Sequence, residues 1–177
     1  MPPSTLKVLI VGPKEGGKTA ISNFLSDNTD RLGNQDKYQP TIGVRILECE
    51  KSNGRTQANV ELWDCSGDQI YEACWPAILK DANATVIVYN PESHVHESEV
   101  TLWYEWFVQN AALDQAQCLV LAHTPGKSTA SRGKVNLPPT LKTVQTTYES
   151  PGLLKAEFEA FLFSVADFVQ RQARSRK

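Results

Sequence analysis

The chain has 177 residues, of which 41% are hydrophobic and 21% charged, as is typical of one globular domain spanning residues 1–177. A formal net charge of −2 excludes a strongly basic protein, so we expect neither nucleic acid nor an acidic membrane as the main partner. No segment has the length of an apolar transmembrane helix. We also expect no lipid anchor, because residue 2 is Pro2 and the last cysteine is Cys118.

The first pattern along the chain is a strand, a glycine-rich loop and a helix. Residues 6–11 predict a buried strand, residues 19–25 predict a helix, and GPKEGGKT between them matches GxxxxGK[ST] in full. This arrangement predicts a phosphate-binding loop, in which Lys18 reaches the outer phosphates and Thr19 offers its hydroxyl to Mg²⁺. The alternative is a plain glycine turn. The candidate nucleotide-binding residues here are Gly12, Lys14, Glu15, Gly16, Gly17, Lys18, Thr19 and Ala20.

Further along the chain, strand-like stretches alternate with helix-like ones. This alternation predicts an α/β protein with an open, mostly parallel sheet and helices on both faces. The first strand after the loop at residues 26–39 alternates polar and apolar residues and is expected to be antiparallel, at an edge beside a hairpin turn. The predicted strands are residues 44–51, 57–63, 84–89, 117–122 and 141–147. The predicted helices are residues 70–79, kinked near Pro76, 100–113 and 153–171.

Three motifs follow one another as they do in Ras-like small GTPases. They are the phosphate loop, the PTIG of residues 40–43 and the WDCSGD of residues 63–68, and the resemblance covers nearly the whole chain. It implies a Ras-like P-loop nucleotide-binding fold with a six-stranded sheet. It also implies that Thr41 coordinates Mg²⁺ when a γ-phosphate is present, that Asp64 holds the ion through a water and that the Gly67 N–H meets the γ-phosphate. The alternatives are a plain loop residue for Thr41 and a strand-end cap for Asp64.

Longer strings resemble one branch of that family. SDNTD, YQPTIGVRILE, ELWDCSGD, CWPAILKDANATVIVYN, WYEWFVQ and QCLVLAH are similar to the Rab-like subunits of the intraflagellar transport B complex. The resemblance implies a protein of the cytoplasm, the cilium or flagellum and its base. It implies docking on coiled-coil subunits of that complex, Mg²⁺ with GTP or GDP as ligands, and a monomer away from the complex.

The chain departs from active Ras-like enzymes beside the γ-phosphate position. Asp68 stands where they have the glutamine that orients the attacking water, and a carboxylate cannot donate a hydrogen bond to the phosphate. Lys14 and Glu15 replace glycines and crowd the space of an activating arginine. We therefore expect no catalytic residue of the usual kind and hydrolysis at or below roughly 10⁻⁴ s⁻¹. A working GTPase switch and a nucleotide-independent adaptor are the alternatives.

The guanine-reading motif NKxD is missing as well. HTPG, residues 123–126, takes its place, so no aspartate is available to accept from the base, and ATP is a possible ligand beside GTP and GDP. The turn-forming stretch is expected at residues 123–136. His123 and Thr147 are the candidates for contacts near the base.

Two remaining features are expected to be structural. His94 and His96 have metal-like spacing without a third ligand, which favours an exposed loop. The aromatic residues of the helix at 100–113 cannot all face one way, so most are expected in the core. Tyr71 and Trp75 lie in a switch-like helix where they could report nucleotide state to a partner.

Overall fold

The computed structural model describes residues 5–33, 39–125 and 135–175. Within them the chain forms one six-stranded sheet in the order β2-β3-β1-β4-β5-β6. All neighbouring strands are parallel except β2, which lies antiparallel to β3 at one edge, as predicted. The strands are β1 (Thr5–Val11), β2 (Val44–Ser52), β3 (Gln57–Cys65), β4 (Ala84–Tyr89), β5 (Cys118–Thr124) and β6 (Lys142–Thr147).

Helices cover both faces of this sheet. One core packs against α1 and α4 and the other against α2 and α3. The alternation along β1 explains the division, since Val8 and Ile10 belong to the first core and Leu9 and Val11 to the second. The helices are α1 (Lys18–Leu25), α2 (Trp75–Leu79), α3 (His94–Tyr104) and α4 (Pro151–Ser175). Two 3₁₀ turns lie at Gln69–Cys74 and Gln115–Gln117 and a π-helical turn at Glu105–Gln109.

The irregular helix start expected near Pro76 is present. The chain after β3 first forms the 3₁₀ turn and then the short helix α2, with Pro76 in its first turn. Trp75 is buried against the rings of Trp103, Trp106 and Phe107. The expectation that most of these aromatics pack in the core is therefore confirmed. Trp75 is too buried to contact a partner directly, whereas Tyr71 is partly exposed.

Several element ends differ from the prediction. The helix expected at residues 100–113 begins at His94, because the Ser93 hydroxyl accepts from the His96 backbone N–H and caps it. The expectation of an exposed loop at His94 and His96 was therefore wrong. β5 runs through His123 and Thr124, which were expected in a turn, because their backbones pair with β6. The rest of the predicted turn, and of the loop at 26–39, lies partly outside the described residues.

Candidate nucleotide-binding site

The glycine-rich loop packs its backbone directly onto neighbouring backbone. A Cβ on Gly12 would lie 2.0 Å from the Val88 carbonyl oxygen at the end of β4, and one on Gly16 would lie 3.1 Å from it. A Cβ on Gly67, just after β3, would lie 2.5 Å from the Lys14 backbone nitrogen. The loop is thus held between the carboxyl ends of β3 and β4, where open α/β sheets bind ligands.

The loop backbone has the shape of an anion-binding nest. Glu15 and Gly17 are left-handed, with φ of 60° and 93°, and alternating handedness turns backbone N–H groups toward one concave side. Gly17 is the N-cap of α1 and provides no side-chain acceptor to the first turn. The N–H groups of that turn, which includes Lys18, Thr19 and Ala20, are therefore suited to an anion.

Lys18 is a buried cation. Its side chain is only 7% exposed, and its Nζ donates to the Pro13 carbonyl oxygen at 2.6 Å. Burial lowers the pKa of Lys18 to about 8, while the nearby Asp64 carboxylate acts in the opposite direction. Such a group favours a negatively charged neighbour, because an anion offsets the cost of removing the ammonium from water.

Three oxygen-bearing side chains meet next to this lysine. Thr19 Oγ1 donates to Asp64 Oδ2 at 2.8 Å, and Thr41 Oγ1 lies 2.7 Å from Thr19 Oγ1. Because the single Thr19 hydroxyl proton points at Asp64, Thr41 is the donor of the second bond. Arg45 Nη2 also reaches Asp64 Oδ2, at 3.2 Å. The structure therefore brings together the three predicted metal-site residues.

Asp64 has spare ligand capacity in this cluster. The residue is fully buried, and its Oδ1 has no hydrogen-bond partner among the described residues. Burial raises the pKa of Asp64, and the Thr19 hydrogen bond and the Arg45 charge act against that rise. Hydroxyl and carboxylate oxygens are the ligands that Mg²⁺ prefers, so the residues present fit this ion.

Asp68 and Lys14 form an ion pair across the mouth of the site. Lys14 Nζ lies 2.8 Å from Asp68 Oδ2, and both side chains are partly exposed. Asp68 Oδ1 accepts from the Ile70 backbone N–H at the start of the 3₁₀ turn. The Lys14 hydrogen bond lowers the pKa of Asp68, so the group is a carboxylate at neutral pH. Both oxygens of the carboxylate at the glutamine position therefore contact the protein itself, one Lys14 and the other the Ile70 N–H.

His123 lies inside the fold next to the phosphate loop. Its Nδ1 is 2.9 Å from Thr146 Oγ1, its ring packs edge-on against Tyr148 at 4.8 Å, and its Cδ2 would lie 3.0 Å from a Cβ on Gly17. Its Nε2 is buried with no partner among the described residues. Thr147, at the end of β6, accepts from the Glu149 N–H within its own turn. Gly126 of the HTPG string lies outside the described residues.

His123 is expected to make stability sensitive to acid. Burial lowers its pKa to about 4, against 6.5 in the unfolded chain. The unfolded chain takes up the proton first, so stability is full above pH 6.5 and falls as the pH drops toward 4. The total loss is about 3 kcal/mol, since a pKa change of one is worth about 1.36 kcal/mol. We expect His123→Gln to remove this loss, as measured by urea unfolding between pH 4 and 7.

The matched control is His94→Gln, because the His94 side chain is 95% exposed. It should keep the acid sensitivity of the wild type. An unchanged pH dependence in His123→Gln would mean that other groups carry the effect.

Two contacts at this site, made by Arg45 and His96, were not predicted from the sequence. Arg45 reaches Asp64 because the two residues are directly paired across β2 and β3. His96 Nε2 lies 2.8 Å from the Lys14 carbonyl oxygen. The alternation of β2 was a usable signal for Arg45, whereas His96 could have been noticed only through the Ser93 cap that starts α3.

Comparison with known proteins identifies the family. The family model described as Ras of Complex, Roc, domain of DAPkinase matches residues 7–124. The intraflagellar transport protein 22 homolog of Danio rerio is 40% identical over 169 residues, which are 90% of this chain and 89% of the relative. The chain belongs to the intraflagellar transport protein 22 family. The resemblance drawn from its motifs is thereby confirmed.

Solved structures from this family share the fold. The GDP-bound crystal structure of T. brucei IFT22 is 28% identical, has a TM-score of 0.67, and covers 92% of this chain and 96% of that one. The GTP-bound crystal structure of T. brucei IFT22/74/81 is 27% identical, has a TM-score of 0.70, and covers 97% and 99%. The prediction of a Ras-like P-loop fold with a mostly parallel, six-stranded sheet is confirmed.

No helix in residues 5–33, 39–125 and 135–175 is both long enough and apolar enough to cross a membrane. In the same ranges, no group of three or more His, Cys, Asp or Glu side chains could hold a metal ion.

Proposed function

We propose that this chain binds Mg²⁺ and a guanine nucleotide and serves as a Rab-like subunit of the intraflagellar transport B complex. The observation that carries the proposal is the Thr19–Thr41–Asp64 cluster beside the buried Lys18. It offers a cation for phosphate and oxygens for Mg²⁺ at the strand ends. The residues proposed to contact the nucleotide are Gly12, Lys14, Glu15, Gly16, Gly17, Lys18, Thr19, Ala20, Thr41, Gly67, His123 and Thr147.

The solved structures of T. brucei IFT22 contain guanine nucleotides. The T. brucei structures are of GTP- and GDP-bound protein, which supports these ligands here. The decisive experiment is competition of GTP, GDP and ATP, with Mg²⁺, against one labelled guanine nucleotide. We expect GTP and GDP to compete better than ATP. Competition by ATP within about tenfold, or 1.4 kcal/mol, would mean that base discrimination is lost with NKxD.

The proposed metal ligands are the hydroxyls of Thr19 and Thr41, with Asp64 acting through a water. When bound, Mg²⁺ supplies positive charge against the outer phosphates. We expect Asp64→Asn to weaken GDP binding about 10–100-fold with Mg²⁺ and hardly at all with a chelator, because the amide accepts from Thr19 but lacks the charge. Calorimetry with and without the metal measures the difference.

The control for this change is Asp167→Asn, on the exposed face of α4. It should leave both affinities at the wild-type level. If Asp64→Asn lowered the affinity equally with the chelator, Asp64 would instead act by anchoring Arg45 and Thr19.

Hydrolysis is proposed to be slow because of the Lys14–Asp68 ion pair. Asp68 cannot donate to a phosphate oxygen, and its carboxylate is held by Lys14 and the Ile70 N–H. No residue of the chain is then proposed as catalytic. Multiple-turnover hydrolysis stimulated by a cellular extract would overturn this and favour a cycling switch.

Assembly is the proposed role of the loaded protein. The T. brucei IFT22/74/81 structure supports subunits of the transport complex as partners, and the names of the relatives support a place in the cilium or flagellum. We propose further that these partners are coiled-coil subunits and that the protein also occupies the cytoplasm and the base of the cilium. Nucleotide binding would order the loops around Thr41 and Asp64 for the partner, and the free protein would be a monomer. Thr19→Asn tests the coupling, since it should lose nucleotide and partner together. Partner binding without nucleotide would instead favour a nucleotide-independent adaptor.

A further inference from the structure

His96 joins two parts of the molecule that are far apart in sequence. It lies in the first turn of α3 and is 7% exposed. The Asn90 backbone N–H, just after β4, donates to its Nδ1 at 2.9 Å. Its Nε2 lies 2.8 Å from the carbonyl oxygen of Lys14, in the phosphate loop. None of the roles proposed above for the nucleotide, the metal ion or the partner uses this side chain.

The two contacts determine the protonation of the ring. A backbone N–H can only donate, so Nδ1 must be an acceptor without a proton. A carbonyl oxygen can only accept, so Nε2 must carry the proton. His96 is therefore the neutral Nε2–H tautomer, and a second proton on Nδ1 would meet the Asn90 N–H head-on.

The bond to Lys14 also determines how the next peptide unit is turned. The chain has no cis peptide among the described residues, so the Lys14 carbonyl and the Glu15 N–H point in opposite directions. With the carbonyl directed at His96, the Glu15 N–H points away from α3. Glu15 has a φ of 60°, a left-handed conformation that a side chain disfavours and that needs support from its surroundings.

We propose that His96 is a positioning residue that turns the Lys14–Glu15 peptide so that the Glu15 N–H donates to a phosphate of the bound nucleotide. Glu15 is one of the two left-handed residues of the nest, and an N–H directed at the concave side of a nest is a donor for an anion. This inference rests on the proposed nucleotide binding and adds a residue outside all the motifs of the site. Without His96, the strained Glu15 can relax by rotation of this peptide, and the donor is lost.

Charged side chains of the phosphate loop, α1 and α3 act on the ring. Glu15 and Lys18 face it from the phosphate loop and α1, and Glu99 faces it from its own helix. Burial lowers the pKa of His96, and the bond to the Lys14 carbonyl and the charge of Glu99 act against that. The neutral tautomer is thus the form present at pH 7. Protonation of Nδ1 would break the contact to Asn90.

The test compares His96→Leu, which fills the space without hydrogen bonds, with His96→Gln, whose amide can donate to Lys14 and accept from Asn90. With GDP and Mg²⁺ at pH 7.5, we expect about tenfold weaker binding for His96→Leu and binding within about twofold of wild type for His96→Gln. His94→Leu is the matched control on the exposed side of α3 and should bind as wild type.

Two readouts separate positioning from mere packing. As the pH is lowered from 7.5, the wild-type affinity should fall more steeply than that of His96→Gln, because glutamine does not titrate. In nitrogen-resolved NMR of the nucleotide-free protein, the His96 ring should show the Nε2–H tautomer. The Glu15 amide should shift on adding GDP in the wild type and much less in His96→Leu.

Equal GDP affinity for wild type and His96→Leu, or an unchanged Glu15 amide shift, would overturn the inference while leaving the proposed function intact. Failure of the wild type to bind GDP at all would instead overturn the proposed function. If His96→Leu does not fold, the inference is tested by the two other measurements: the pH dependence of GDP affinity in the wild type and His96→Gln, and the tautomer of the His96 ring. An equal pH dependence, or a ring without a proton on Nε2, would overturn it.

Discussion

Replacing Gly12 by alanine should lower the free energy of unfolding by about 4 kcal/mol. The new methyl group would lie 2.0 Å from the Val88 carbonyl oxygen and 3.0 Å from its carbon, both backbone atoms of β4 that cannot move without breaking the sheet. The φ of 140° adds a conformation that L side chains rarely adopt. Urea unfolding of the nucleotide-free protein measures the loss.

Gly54→Ala is the matched control, because Gly54 has a φ of 82° in a hairpin turn with nothing within 4 Å of its Cβ position. It should cost only the left-handed backbone strain, about 1–2 kcal/mol. A Gly12→Ala protein no less stable than Gly54→Ala would show that the loop is not pressed against β4. Contact with the end of β4 would then not be what determines the conformation of the loop.

The sheet could be predicted because its signals are local. β4 was predicted to the residue, since Ala84–Tyr89 is an apolar run buried on both faces and bounded by polar residues. β5 was predicted to begin one residue and to end two residues too early, the latter because His123 and Thr124 look like turn residues. Backbone pairing with Thr146 and Thr147 of β6 keeps them in the sheet, and this pairing is invisible in a local window.

The glycine-rich loop and the proximity of Thr19, Thr41 and Asp64 could be predicted, because sequence motifs carry both. The contacts that orient them could not. His96 is 82 residues from Lys14, and Arg45 is 19 residues from Asp64, so each contact depends on how whole elements pack. The same limit applies to Lys14 and Asp68. The sequence shows that each residue departs from active Ras-like enzymes, but it does not show that the two side chains form an ion pair.

Lys18→Met should change stability and nucleotide affinity in opposite directions. In the nucleotide-free protein the ammonium is buried, with a pKa lowered to about 8, so a neutral side chain of similar length should raise the free energy of unfolding by about 1–3 kcal/mol. GDP affinity should fall about 10³-fold, because charge-assisted hydrogen bonds to phosphate are lost. Urea unfolding and calorimetry with Mg²⁺ measure the two effects.

The control is Lys80→Met, at an exposed position after α2, which should change neither quantity appreciably. The opposite signs make the result diagnostic. Replacing a residue that only supports the fold should lower both the stability and the GDP affinity. A buried cation that binds a ligand instead destabilises the ligand-free protein, and the ligand offsets that cost when it binds. If Lys18→Met lowered the stability and left the GDP affinity unchanged, the role of Lys18 would be to stabilise the loop through its hydrogen bond to the Pro13 carbonyl oxygen. The proposal of nucleotide binding would then lose its main electrostatic argument.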